Sequence, residues 1–98
     1  MHARLSRFAG LDPDRIDATV REFQEEGLAR LEQQPGFRGI TVGVDYQGGK
    51  AIALALWETE ADLSHSEEVA AEVRDQAVVM AGPTRTPIVD HYQVVVRT

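Results

Sequence analysis

The sequence predicts an α+β fold with the element order β-α-β-β-α-β. Three observations predict it: two stretches with a 3.6-residue apolar period that end at Pro-Gly or Gly-Pro, four stretches that alternate or are rich in β-branched residues, and a Gly-Gly reversal between the middle two. At 98 residues the chain fits one domain, 1–98, because a chain of this size buries only about two-thirds of its unfolded surface around a single core.

The first strand runs from His2 to Ala9, with Leu5 and Phe8 among polar residues and its period interrupted by Arg4 and Arg7. Asp12-Pro13 opens the first helix: the carboxylate can accept from the following amides, and Pro13 stands where a helix needs no amide donor. From Pro13 to Gln33, Ile16, Val20, Phe23, Leu28 and Leu31 fall near one face, and Gly27 lies on it. A glycine inside a helix costs roughly 1 kcal/mol relative to Ala, so Gly27 predicts close packing on the sheet or a local irregularity. Pro35-Gly36 ends the helix.

Phe37 to Tyr46 alternates, with Ile40, Val42 and Val44 on one side and Thr41, Gly43 and Asp45 on the other. Gln47-Gly48-Gly49-Lys50 is a tight reversal, and Ala51 to Trp57 returns as the second arm of a hairpin. In that arm Ile52, Leu54 and Leu56 face one way, and Ala51, Ala53, Ala55 and Trp57 the other. Thr59 to Asp62 and Ser64 to Glu67 both resemble capping arrangements, so a short turn precedes a second helix from Ser66 to Ala81, stopped by Gly82-Pro83. Its stripe of Val69, Val73, Ala77 and Met80 is small. The last strand, Ile88 to Arg97, sets Tyr92, Val94 and Val96 against Val89, His91, Gln93, Val95 and Arg97.

This order is the ferredoxin-like split β-α-β pattern, in which right-handed crossovers place both helices on one face of a four-stranded antiparallel sheet. The other face still carries apolar residues, which marks an interaction surface and predicts a dimer through the sheet.

Composition narrows function more than it names it. With 43% apolar and 27% charged residues the chain is that of an ordinary globular protein. Its longest apolar stretch, Ala51 to Trp57, is seven residues, against the roughly 20 that span a bilayer, and the start lacks a secretory pattern; no membrane association and a cytoplasmic location are expected. There is no cysteine, hence no disulfide, thiolate metal site or cysteine nucleophile. The three histidines lack zinc-site spacing, and no metal is expected. A net charge of -6 with no Lys/Arg stripe argues against nucleic acid.

Gln34-Pro35-Gly36-Phe37-Arg38-Gly39, Trp57-Glu58-Thr59-Glu60-Ala61-Asp62-Leu63 and the closing Tyr92-Gln93-Val94-Val95-Val96, together with the element order, resemble the dimeric α+β barrel superfamily in its antibiotic biosynthesis monooxygenase branch. The resemblance implies a homodimer whose two sheets pair into a barrel, and a small pocket between each sheet and its helices. It implies either a cofactor-independent monooxygenase acting on an aromatic or quinol-type compound, with no cofactor, or a non-catalytic dimeric protein that binds a small ligand. Haem-degrading relatives use an Asn on the first strand and a His and a Trp after the Trp-Glu pair. Here Ser6 and Arg7 stand on the strand, and 67–79 holds neither His nor Trp, which argues against haem breakdown.

Oxygenases of the family hold an aromatic substrate with Trp, Tyr, Asn, His and Arg, and let its anion react with oxygen. This chain has no Asn. Carried over residue by residue, the resemblance leaves Trp57, Tyr92 and Arg7 as substrate-binding candidates and His91, Arg7 and Tyr92 as catalytic ones. Each has a plainer role beside it: Trp57 as a core ring, Tyr92 and His91 as polar groups on a sheet surface. Asp90 and His91, adjacent on a strand, point to opposite faces and do not pair with each other.

Overall fold

Alternation dictates where each strand residue goes, and the sheet registers show the outcome. The structure is a computed structural model and describes residues 1–82 and 85–98. β1 (His2–Phe8), β2 (Phe37–Asp45), β3 (Lys50–Trp57) and β4 (Ile88–Gln93) form one antiparallel sheet in the order β2-β3-β1-β4. The order of elements and the sheet are those the sequence predicts. β4 stops four residues short of the expected Arg97; Val94 still donates its amide to the Met1 carbonyl at 2.9 Å, and 95–98 leave the sheet.

The first helical stretch is broken where Gly27 predicted a disturbance. It comprises α1 (Ile16–Glu22), a π-helical turn (Phe23–Gly27) and α2 (Leu28–Glu32). A Cβ at Gly27 would lie 2.9 Å from the Phe23 ring and 3.0 Å from Val73, so glycine lets the widened turn lay Phe23 against its own helix and against the second helix layer. The helix starts later than Pro13: Asp12 accepts from the Asp14 amide at 2.9 Å in a turn that precedes it.

The expected short turn after the hairpin is α3 (Glu60–His65), capped by Thr59, whose hydroxyl accepts from the Asp62 amide at 3.0 Å. α4 (Glu67–Ala81) follows directly. Ser66 does not cap α4 with its side chain; its hydroxyl donates to the Leu63 carbonyl at 2.7 Å and accepts from Arg4. α4 ends at Gly82, whose φ of 89° suits glycine, and Pro83 lies outside the described residues.

All helices cover one sheet face. The core is Trp57, Leu31, Ala55, Leu63 and Ala70, with Phe23, Phe37 and Ile40 packed against it. No helix among the described residues is long and apolar enough to cross a membrane.

Candidate functional site

The cross-strand pairs Arg4↔Ala55, Ser6↔Ala53, Phe8↔Ala51 and Val42↔Ala53 bring small side chains together at the middle of the helix-covered face. α4 answers with Ala70, Ala77 and Ala81. Small residues on both layers leave space between them: a cavity of about 130 Å³, walled by Phe23, Ile16 and Val73 among others. Val42 belongs to this face yet is 41% exposed, because β2 is the edge strand and the cavity opens along it. Outside the cavity lining, Tyr46 donates to Asp17 at 2.8 Å, tying the hairpin tip to α1 and holding the phenol's pKa above its ordinary value through the hydrogen bond and charge of Asp17.

The wall is carbon except at Arg4, Ser6, Thr19 and Arg74. Arg4 is 2% exposed and anchored on three sides: its Nε donates to Glu67 at 3.0 Å, and one terminal nitrogen donates to the Leu63 carbonyl at 2.9 Å and to Ser66 Oγ at 3.1 Å. Burial lowers the pKa of this guanidinium and the Glu67 carboxylate opposes the shift. Arg74, on α4, stands 3.5 Å from the other Glu67 oxygen. No Asp, Glu, His or Tyr lines the cavity among the described residues. The site can therefore hold an apolar body and stabilise one negative charge, but it carries no general base of its own.

The four residues singled out from the sequence do not converge, because strand alternation splits them. Arg7 and Tyr92 lie on the uncovered face; Arg7 pairs with Asp90 at 3.1 Å and Tyr92 is 50% exposed. His91 is on the helix face beyond the cavity, with Nε2 3.4 Å from Glu67. Trp57 is 0% exposed, edge-on to Phe37 with centroids 5.3 Å apart and 5.7 Å from the Arg4 guanidinium carbon. It is a core ring, not a cavity wall, and its Nε1 has no hydrogen-bond partner among the described residues. Sequence reasoning passed over Arg4, Ser6 and Arg74. A usable signal was present for Arg74, which falls on the stripe of Ala70, Val73, Ala77 and Ala81, where an arginine is out of place on a surface-only account.

Comparison with known proteins places this geometry. No family model matches the sequence. Two uncharacterized proteins of Mycobacterium tuberculosis are similar: Rv2557, 29% identical over 79 residues that cover 81% of this chain and 34% of that protein, and Rv2558, 32% identical over 74 residues that cover 74% and 31%. The chain thus spans about a third of the length of the curated relatives it matches. Among solved structures, the monooxygenase from the gene ActVA-Orf6 of Streptomyces coelicolor, crystallised with nanaomycin D, superimposes with a TM-score of 0.73 at 17% identity over 99% of this chain and 92% of that one. SnoaB, a cofactor-independent oxygenase from Streptomyces nogalater, gives 0.67 at 14% identity over 98% and 94%. Rv0793 from Mycobacterium tuberculosis gives 0.69 at 17% over 98% and 96%. The chain therefore has the ferredoxin-like α+β fold of the antibiotic biosynthesis monooxygenases.

Proposed function

We propose that each protomer binds a flat aromatic compound of quinol type in the cavity between sheet and helices, and that it oxygenates this compound without a cofactor. The observation that carries the proposal is a nearly all-carbon cavity with two guanidiniums, Arg4 and Arg74, at its wall. Its volume of about 130 Å³ decides the ligand's size. Apolar cavities of about 150 Å³ accept benzene, so the enclosed part suits one ring, and a polycyclic body would have to extend through the opening beside Val42.

In a site without a base, the substrate must ionise with the help of the cations: a guanidinium beside a phenol stabilises the phenolate. The anion then gives its electrons to oxygen. For a hydroquinone one oxygen atom enters the ring to give a hydroxyquinone, and the other leaves as water, with all the electrons coming from the substrate. This supports a place for the chain beside the cofactor-independent monooxygenases whose fold it shares. The expected result is oxygen uptake above autoxidation with single-ring hydroquinones, a hydroxyquinone by mass spectrometry, and loss of both in Arg74→Gln. No uptake across such a panel would remove the oxygenase reading.

A second reading, non-catalytic ligand binding, is favoured by the absence of any titratable base among the described cavity residues. The two separate cleanly: both predict a rise in melting temperature with the ligand, since binding stabilises the folded state, but only the first predicts oxygen uptake.

We also propose that the uncovered sheet face pairs with a second copy of the chain. Ile52 at 47% and Ile88 at 55% exposure, with Leu54 and Tyr92 beside them, form an apolar surface that water disfavours. Arg7 and Tyr92, expected from sequence at the active site, belong in this proposal to the interface between protomers.

A further inference from the structure

Glu67 is the first residue of α4, and its two carboxylate oxygens meet three cationic or ionisable side chains. Oε2 lies 2.8 Å from Arg4 and 3.4 Å from His91, and Oε1 lies 3.5 Å from Arg74. Glu67 does not line the cavity, but both guanidiniums that do line it are its partners. Arg4 is committed to Glu67 and to the Leu63 and Ser66 oxygens, whereas among the described residues Arg74 makes only the looser 3.5 Å approach.

We infer that Glu67 is a specificity-determining residue: as the resident counter-ion behind the cavity wall, it restricts the cavity to ligands that enter uncharged, such as phenols and quinols, and excludes aromatic carboxylates. The inference deepens the quinol-type proposal and rests on it. A carboxylate entering a carbon-lined space loses its water and needs a full counter-charge in return. With Glu67 in place, Arg4, Arg74 and Glu67 together offer one net positive charge, already shared with a fixed carboxylate. A phenol asks less: it enters neutral, and it needs stabilisation only as its hydroxyl ionises. Removing the Glu67 charge would leave both guanidiniums without their counter-ion, Arg4 still held by Leu63 and Ser66 and Arg74 released toward the ligand, and turn the same cavity into a carboxylate site.

The test compares two single-ring probes, phenol and benzoate, titrated into the full chain and followed by NMR. The wild type should bind phenol in preference to benzoate. Glu67→Gln, which keeps an oxygen to accept from Arg4, should raise benzoate affinity about tenfold and leave phenol within about twofold. Benzoate affinity that does not rise while phenol still binds overturns the role of Glu67 and leaves the cavity reading standing. Failure of both probes in both proteins overturns both. Should Glu67→Gln not fold, Arg74→Gln decides, since it leaves the Arg4–Glu67 pair intact: benzoate should weaken about tenfold relative to phenol, and an unchanged ratio overturns the inference.

Discussion

On β3, Ala51, Ala53, Ala55 and Trp57 point at the helices, whereas Ile52, Leu54 and Leu56 point away from them. On this strand the covered face thus carries the smaller aliphatic side chains and the uncovered face the larger ones, the reverse of what filling a core would ask, whereas β2 turns Ile40, Val42 and Val44 toward the helices and Thr41 and Gly43 away. β1 repeats the pattern only at its middle, with Ser6 inward across from Ala53 and Leu5 outward across from Leu54; Arg4 and Phe8 also point inward, and Ala3 outward. Large residues left in water ask for a partner, and small residues under helices leave a hollow. The two faces of β3 support the proposed division, ligand binding on one side and assembly on the other.

The sharpest way to break this division is to charge the uncovered face. Leu54→Glu should dissociate the proposed dimer, shifting its dissociation constant by at least about a hundredfold, because a buried, unpaired charge costs about 3 kcal/mol or more. Light scattering should then give the 10.8 kDa monomer, with unchanged circular dichroism. A wild type that is itself monomeric at micromolar concentration would refute the assembly role.

The covered face breaks at Arg4. Arg4→Met removes a buried cation that ties β1 to the α3–α4 junction through Glu67, Leu63 and Ser66. The loss should be about 2–3 kcal/mol in urea unfolding, held below the figure for a fully buried pair because Glu67 is 42% exposed on its side chain. Leu5→Met, one residue along and on the opposite face, should cost under about 1 kcal/mol.

The division of faces explains how much could be read in advance. The hairpin, both crossovers and a small face on α4 were legible because they rest on residue volume and period, which sequence states directly, although the period predicts Val69, Val73, Ala77 and Met80 for that face where Ala70, Val73, Ala77 and Ala81 line the cavity. The site was not, because β1 contains arginines at positions 4 and 7, whose side chains point to opposite faces, and only the register with β3 says which one meets the helices. Its polar residues blur the period that would have said so. Trp57 misled for another reason: a lone tryptophan suits a core and a ligand wall equally well until its neighbours, here Phe37, Leu31 and Leu63, are known. The π-helical turn at Phe23–Gly27 had only Gly27 to announce it.

Filling the hollow sharpens the comparison without unfolding the protein. Ala53→Leu projects into the cavity between sheet and helices, where about 130 Å³ stands available, so its own stability should change by less than about 1.5 kcal/mol. The rise in melting temperature caused by phenol should disappear. Gly43→Ala, across from Ile52 on the other face, should leave that rise intact, since an added Cβ would lie 3.5 Å from Ile52, an ordinary contact.

The smallest effect belongs to the tip of the β2–β3 hairpin. Tyr46 donates its hydroxyl proton in a hydrogen bond to Asp17 and keeps it, so its folded pKa lies above the ordinary value near 10. A raised folded pKa means the unfolded chain releases this proton first. The stabilising contribution of the bond is therefore fully present below the unfolded value and is lost as pH rises through the folded one. Wild type should exceed Tyr46→Phe in stability by a small, constant margin at neutral and mildly alkaline pH, and the margin should close above about pH 10. Urea unfolding of both proteins across that range checks the sign. A margin that widened with pH would mean the phenolate, not the phenol, is held at the hairpin tip. Ligand exchange adds a second readout: with the hairpin tip released from α1, phenol should leave the covered face faster in Tyr46→Phe, while dimer dissociation through the uncovered face should not change.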